Sequence, residues 1–198
     1  GINFTCIREE NDLTIYMNQP NDARELIAKA GLAGIYTNST KTPYRSGHPV
    51  DSVPDIDMAP HDREPLNKIL QEYVGSLNWL ATQTRPDLST ITNIIAQYNN
   101  KCSPGHIDAA KYAIRYLIDT ADLGIKFSSK ANNNLESFVQ FPIEPSNLTA
   151  LTDSNWGPQD QSVPKPNDPP ILLDLFKSRS IAGFVIWLCG PLDWSAKR

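Results

Sequence analysis

The sequence predicts an α+β fold: an N-terminal β-hairpin plus helix, a three-helix region, then an antiparallel sheet. Three observations predict it. Apolar residues alternate with polar ones at Ile2, Phe4 and Cys6, recur at helical spacing from Leu66 to Ile118, and form short strand-like runs after Leu148. A period of two marks a half-buried strand, and a period near 3.6 marks an amphipathic helix.

The elements follow in chain order. Ile2, Phe4 and Cys6 and then Leu13, Ile15 and Met17 flank the polar turn Glu9-Glu10-Asn11-Asp12, which gives a hairpin with one buried face. A helix over 18–30 buries Ala23, Leu26, Ile27 and Ala30, takes Asn21 or Asp22 as its cap, and stops at Gly31. From 34 to 65 the chain is rich in Thr, Ser, Asp, His and Pro, with little to support a core, and an extended loop or linker is expected. Three helical stretches follow. The first, 66–82, carries Leu66, Ile69, Leu70, Tyr73, Val74, Leu77, Leu80 and Ala81. The second has Pro86 at its first position and buries Leu88, Ile91, Ile94, Ile95 and Tyr98. The third, after Ser103-Pro104, buries Ile107, Ala110, Ala113, Ile114, Leu117 and Ile118 and ends by Gly124. Strands are expected over 123–127, 136–141, 148–151, 183–188 and 192–195, with surface turns at 128–134 and a Pro-rich loop at 158–167. This divides the chain at 1–33, 34–65, 66–122 and 123–198.

Composition narrows the function. Hydrophobic residues make up 40% and charged residues 20%, as in folded globular proteins. With 18 basic and 22 acidic side chains the net charge is −4, which argues against a binder driven by bulk positive charge but leaves local basic faces open. The longest apolar run, 181–189, is broken by Gly183 and falls short of the ~20 residues of a membrane helix, so no membrane partner is expected. Cys6, Cys102 and Cys189 are scattered, which points to free thiols in a reducing, intracellular setting rather than to zinc. The opening residues Gly1-Ile2-Asn3 carry neither Met nor a basic leader, and the chain has the look of a segment from a longer reading frame.

Few side chains are placed for chemistry. Asp153 follows the run Leu148-Thr149-Ala150-Leu151; it is either a metal-binding carboxylate or an aspartate that caps a turn through its own backbone. Lys111 and Arg115 stand one helical turn apart and could lie along phosphates; Asp108 and Asp119 are spaced to form ordinary surface pairs with them instead. Lys177, Arg179 and Lys197 flank the last hairpin and could meet a nucleic-acid backbone or simply face water. Trp79 and Trp187 are expected in the core. His48, His61 and His106 are isolated, and Ser154 and Ser195 have no convincing His/Asp partners.

Several stretches together resemble the Pol polyproteins of Ty1/copia-type LTR retrotransposons. They are Tyr73-Val74-Gly75-Ser76-Leu77-Asn78-Trp79-Leu80-Ala81, Thr84-Arg85-Pro86-Asp87-Leu88, Ala109-Ala110-Lys111-Tyr112-Ala113-Ile114-Arg115-Tyr116-Leu117, Leu151-Thr152-Asp153-Ser154-Asn155-Trp156 and Trp194-Ser195-Ala196-Lys197-Arg198. The insertion after Gly157-Pro158 is most similar to fungal members. The resemblance implies that 1–33 closes the reverse transcriptase palm and enters the thumb. It makes 66–122 thumb and connection helices, and 123–198 the truncated start of a ribonuclease H-like domain with Asp153 as its first Mg²⁺ ligand. It also implies an RNA–DNA hybrid and the remainder of the polyprotein as partners, in cytoplasm and nucleus. No two aspartates are adjacent in this sequence, whereas the family's polymerase uses a Tyr-x-Asp-Asp turn; the chain alone is expected to lack complete active sites. The alternative is a degenerate or co-opted remnant that binds nucleic acid or a partner without catalysis.

Overall fold

Alternation at the N-terminus produces β1 (Asn3–Glu9) and β2 (Asp12–Asn18), paired antiparallel with Phe4 opposite Met17 and Cys6 opposite Ile15. The computed structural model describes residues 1–10, 12–34, 39–44, 50, 58–129, 149–155, 181–187 and 191–197. A third strand, β3 (Gly124–Ser128), pairs with the far side of β2 and sets Ile125 opposite Met17. Directly opposed residues share a face of a sheet. Phe4, Met17 and Ile125 therefore lie on one face, which is covered at Ile125 (6% exposed) and open at Phe4 (66%).

β3, which the division at 123 sets with the later strands, pairs with the N-terminal hairpin. Gly124 is what lets it do so. A side chain there would overlap the Met17 carbonyl oxygen and come within 2.7 Å of the Asn18 Cβ.

Helix α1 (Pro20–Lys29) starts ahead of the expected caps, because Pro20 at its first turn has φ already fixed for a helix. It ends where Gly31, at φ +70°, turns the chain; Gly31 N–H donates to Ala28 O and Leu32 N–H to Ile27 O. Helix α2 (Pro60–Gln83) begins six residues before the predicted 66, so the end of the expected loop is helical. Pro60 again supplies the first turn, and Pro65 is accommodated inside the helix at the loss of one backbone bond. The rest of that polar stretch is not devoid of core either: Val50 is buried and Tyr44 packs against the core.

A 3-10 turn, Pro86–Leu88, leads into α3 (Ser89–Ala96), and α4 (Pro104–Thr120) follows. The helices meet over Leu26, Leu70, Leu77, Leu80, Leu88, Ile91, Ile95, Ile114 and Leu117, all fully buried. These belong to the stripes expected from the sequence, although Ile69, expected among them, is 39% exposed.

The second sheet has strand order β4-β5-β6, all antiparallel: β4 (Thr149–Asn155), β5 (Ile181–Trp187) and β6 (Pro191–Lys197). β6 packs on α3, and the indole N–H of Trp194 donates to the Ala81 carbonyl at 2.6 Å. The chain is therefore a mixed α+β protein. The strand expected at 136–141 and the loop at 158–167 lie outside the described residues. Among those described, no helix is long and apolar enough to cross a membrane.

Candidate functional site

Asp153 lies within β4, two residues before its end, and pairs with Gly183 of β5; Gly183 in turn pairs with Ala196 of β6. Its backbone therefore belongs to a three-stranded antiparallel layer, while its side chain is outside the described part. Lys197 occupies β6 opposite Ala182, with its side chain likewise outside; Lys177 and Arg179 fall wholly outside the described residues. Among the described residues no three His, Cys, Asp or Glu side chains gather as a metal site. Mg²⁺ holds its waters tightly and is retained by several shared carboxylate oxygens. The one carboxylate that the resemblance assigns to Mg²⁺ here, that of Asp153, lies outside the described part.

Lys111 and Arg115 lie on α4 beside its buried stripe of Ala110, Ala113, Ile114 and Leu117, and both are half-buried. Among the described residues, no ion pair joins either cation to Asp108 or Asp119. Asp119 instead accepts a hydrogen bond from the Ser39 hydroxyl. The ordinary surface pairs that the spacing allows are not formed.

The most developed polar cluster centres on Arg85, and nothing near Arg85 in the sequence foretells its distant acceptor. This residue is 2% exposed. Its Nε and one terminal nitrogen donate to the two carboxylate oxygens of Asp87 at 3.0 and 2.7 Å. The other terminal nitrogen donates to the Thr120 carbonyl at 2.7 Å, and the guanidinium lies 5.4 Å from the Tyr116 ring centre. Pro86 holds the turn that folds Asp87 back onto Arg85. The cluster thereby ties the start of α3 to the end of α4. Burial, and then the Asp87 charge, push the Tyr116 hydroxyl above its usual pKa. Beside it, the Thr84 hydroxyl donates to Gln19 Oε1 at 2.9 Å in a buried bond.

One tryptophan departs from its expected place in the core. Trp79 is 48% exposed rather than packed in the core, because Leu77 and Leu80 take the buried positions on that helix. Its indole N–H donates to Asp22 at 2.9 Å, which links α2 to α1. Trp187 has its side chain outside the described part. His106, expected as isolated, caps α4: its Nδ1 accepts from the Ser103 N–H at 3.0 Å, the Ser103 side chain reciprocates, and its ring stacks on Tyr98 at 4.0 Å. The signal was present as Ser followed three residues later by a side chain able to reach back.

Comparison with known proteins gives these features a context. The retrovirus-related Pol polyprotein from transposon RE2 of Arabidopsis thaliana is 30% identical over 152 residues, covering 76% of this chain and 8% of that protein. The corresponding polyprotein from transposon RE1 is 31% identical over 127 residues, covering 63% and 7%. This chain is a relative of retrotransposon Pol polyproteins. It spans only a small part of their length. An uncharacterized mitochondrial protein of Arabidopsis thaliana is also similar, 25% identical over 185 residues, with 93% of this chain and 61% of that protein aligned. No family model matches the chain, and no solved structure does.

Proposed function

We propose that this chain is the thumb and connection region, with the first strands of the ribonuclease H domain, of a Ty1/copia-type reverse transcriptase. In this reading it grips an RNA–DNA hybrid while the remainder of the polyprotein supplies the other reactive carboxylates. Mg²⁺ belongs to that larger assembly, where Asp153 is one ligand of several. The setting is cytoplasm and nucleus, where such elements copy RNA and deliver DNA.

The observation that carries the reading is Asp153 on the first strand of a three-stranded antiparallel sheet, hooked to a helical bundle that presents Lys111 and Arg115. A gel-shift assay with an RNA–DNA hybrid in EDTA tests it. The chain should retard the hybrid at low salt, the shift should weaken steeply as salt rises because phosphate contacts release counterions, and the double variant Lys111→Glu/Arg115→Glu should lose it. Retention of full binding by that variant, or no shift at any salt, overturns the reading.

A second reading is favoured by the mitochondrial relative, which aligns with nearly all of this chain but is not named as a Pol polyprotein: a co-opted module that binds nucleic acid without cutting it. The two separate when the chain is extended by its downstream reading frame and supplied with Mg²⁺. Cleavage of the RNA strand supports the enzyme; binding without cleavage supports the module.

A further inference from the structure

Arg115 differs from Arg85 in one respect that points to a missing acceptor. Every nitrogen of Arg85 has one: Asp87 and Thr120 receive all of its bonds. The Nε–H of Arg115 is buried and has none among the described residues. An unmade bond on a buried, charged donor is costly, and a guanidinium meets that cost best by a planar, two-pronged contact with an oxyanion. The acid nearest in sequence, Asp119, is turned to the Ser39 hydroxyl. Lys111, one helical turn earlier, adds a second positive charge with no acid against it among the described residues.

The segment 39–44 frames this place. The Thr40 hydroxyl donates to the Tyr112 carbonyl at 3.4 Å, and Ser39 reaches Asp119, so the segment is pinned to α4 on both sides of Arg115 along the helix. We propose that Arg115 and Lys111 form a seat for a single phosphate group, with Arg115 Nε–H as its buried donor. This rests on the reading above and deepens it: the contact takes a phosphate from the nucleic-acid backbone without regard to base sequence. Free phosphate offers the same oxygens, and the test separates the two sources.

The probe is the Arg115 Nε–H resonance in a ¹⁵N-labelled chain, identified by its loss in Arg115→Lys. Titration with inorganic phosphate, at ionic strength held constant with sodium chloride, should move that resonance along a saturating curve. Lys111→Gln should weaken the fitted affinity about tenfold, the loss of one charge-assisted bond. The hybrid should move the same resonance and compete with phosphate. A resonance that ignores phosphate, or drifts linearly as it does with chloride, overturns the seat. Saturation by phosphate without competition by the hybrid keeps the seat and sinks the retrotransposon reading. Through-bond correlation of the Arg115 Nε–H to its own backbone amide in the unmodified chain gives the same identification, so the measurement survives even if Arg115→Lys folds poorly.

Discussion

Arg85 shows how little of a buried side chain's role is written beside it. Thr84-Arg85-Pro86-Asp87-Leu88 stands out in the sequence as a unit, yet the carbonyl that completes the cluster belongs to Thr120, 35 residues away. The local half, a guanidinium facing a carboxylate across a proline turn, is legible; the distant acceptor is not. Removing one member of a buried ion pair costs roughly 3–5 kcal/mol because the other stays desolvated. Asp87 is one-third exposed, so the lower end applies: Arg85→Ala should lose about 3 kcal/mol in urea unfolding, with Asp87→Asn losing less. A loss below about 1 kcal/mol for Arg85→Ala would mean the cluster is not closed in solution.

Cys102 gives a pH-dependent counterpart at the same scale. Burial pushes its thiol from an ordinary 9.0 up to about 11. A folded-state pKa raised above the unfolded one means stability is whole below pH 9 and falls as pH rises through about 11. Unfolding measured across that window should show this decline, and Cys102→Ala should flatten it. At pH 8 the thiol should also resist alkylation, as judged by peptide mapping, while the exposed Cys6 reacts.

At the scale of elements, local periodicity carried the helices and failed where pairing is non-local. The apolar stripes of α2, α3 and α4 are visible because their spacing repeats within a few residues. Their starts are less so: Pro65 disguises the first turns of α2 as loop, although Pro60 is a fair start signal. The strand at 124–128 is foreseeable, but its partner is not, since nothing near it in sequence names β2 as the neighbour. Gly124 holds the clue in hindsight, for its missing side chain leaves room for the Met17 carbonyl. Gly124→Ala should cost about 1–3 kcal/mol, as forced overpacking does, and the damage should be confined. Amides of β3 should exchange with solvent faster while those in the middle of α4 keep their protection. Equal acceleration in both would show that strand and helix open as one unit.

For the molecule as a whole, the question is how the second sheet is held to the bundle that carries Lys111 and Arg115. Ala81 lies in the last turn of α2, where carbonyls have no partner within the helix. The Leu80 carbonyl is taken by the Thr84 and Arg85 N–H groups, and the Ala81 carbonyl by Trp194 of β6. That bond joins residues 113 apart and settles where the sheet sits. The layers are not flush elsewhere: a cleft of about 300 Å³ separates Pro86, Ser89 and Thr90 on the bundle from Phe184 and Val185 on the sheet. Trp194→Phe keeps an aromatic ring in place but deletes the donor, which strands the Ala81 carbonyl at a cost of about 1 kcal/mol. Because the bundle has its own closed core, that cost should fall on docking rather than on the helices. Protection of β5 and β6 amides against hydrogen exchange should drop by a few-fold to about tenfold, with Leu70 to Leu80 unchanged. If the α2 amides lose protection in step with β6, sheet and bundle are one cooperative body, and Trp194 is a core residue of the whole rather than the pin between two layers.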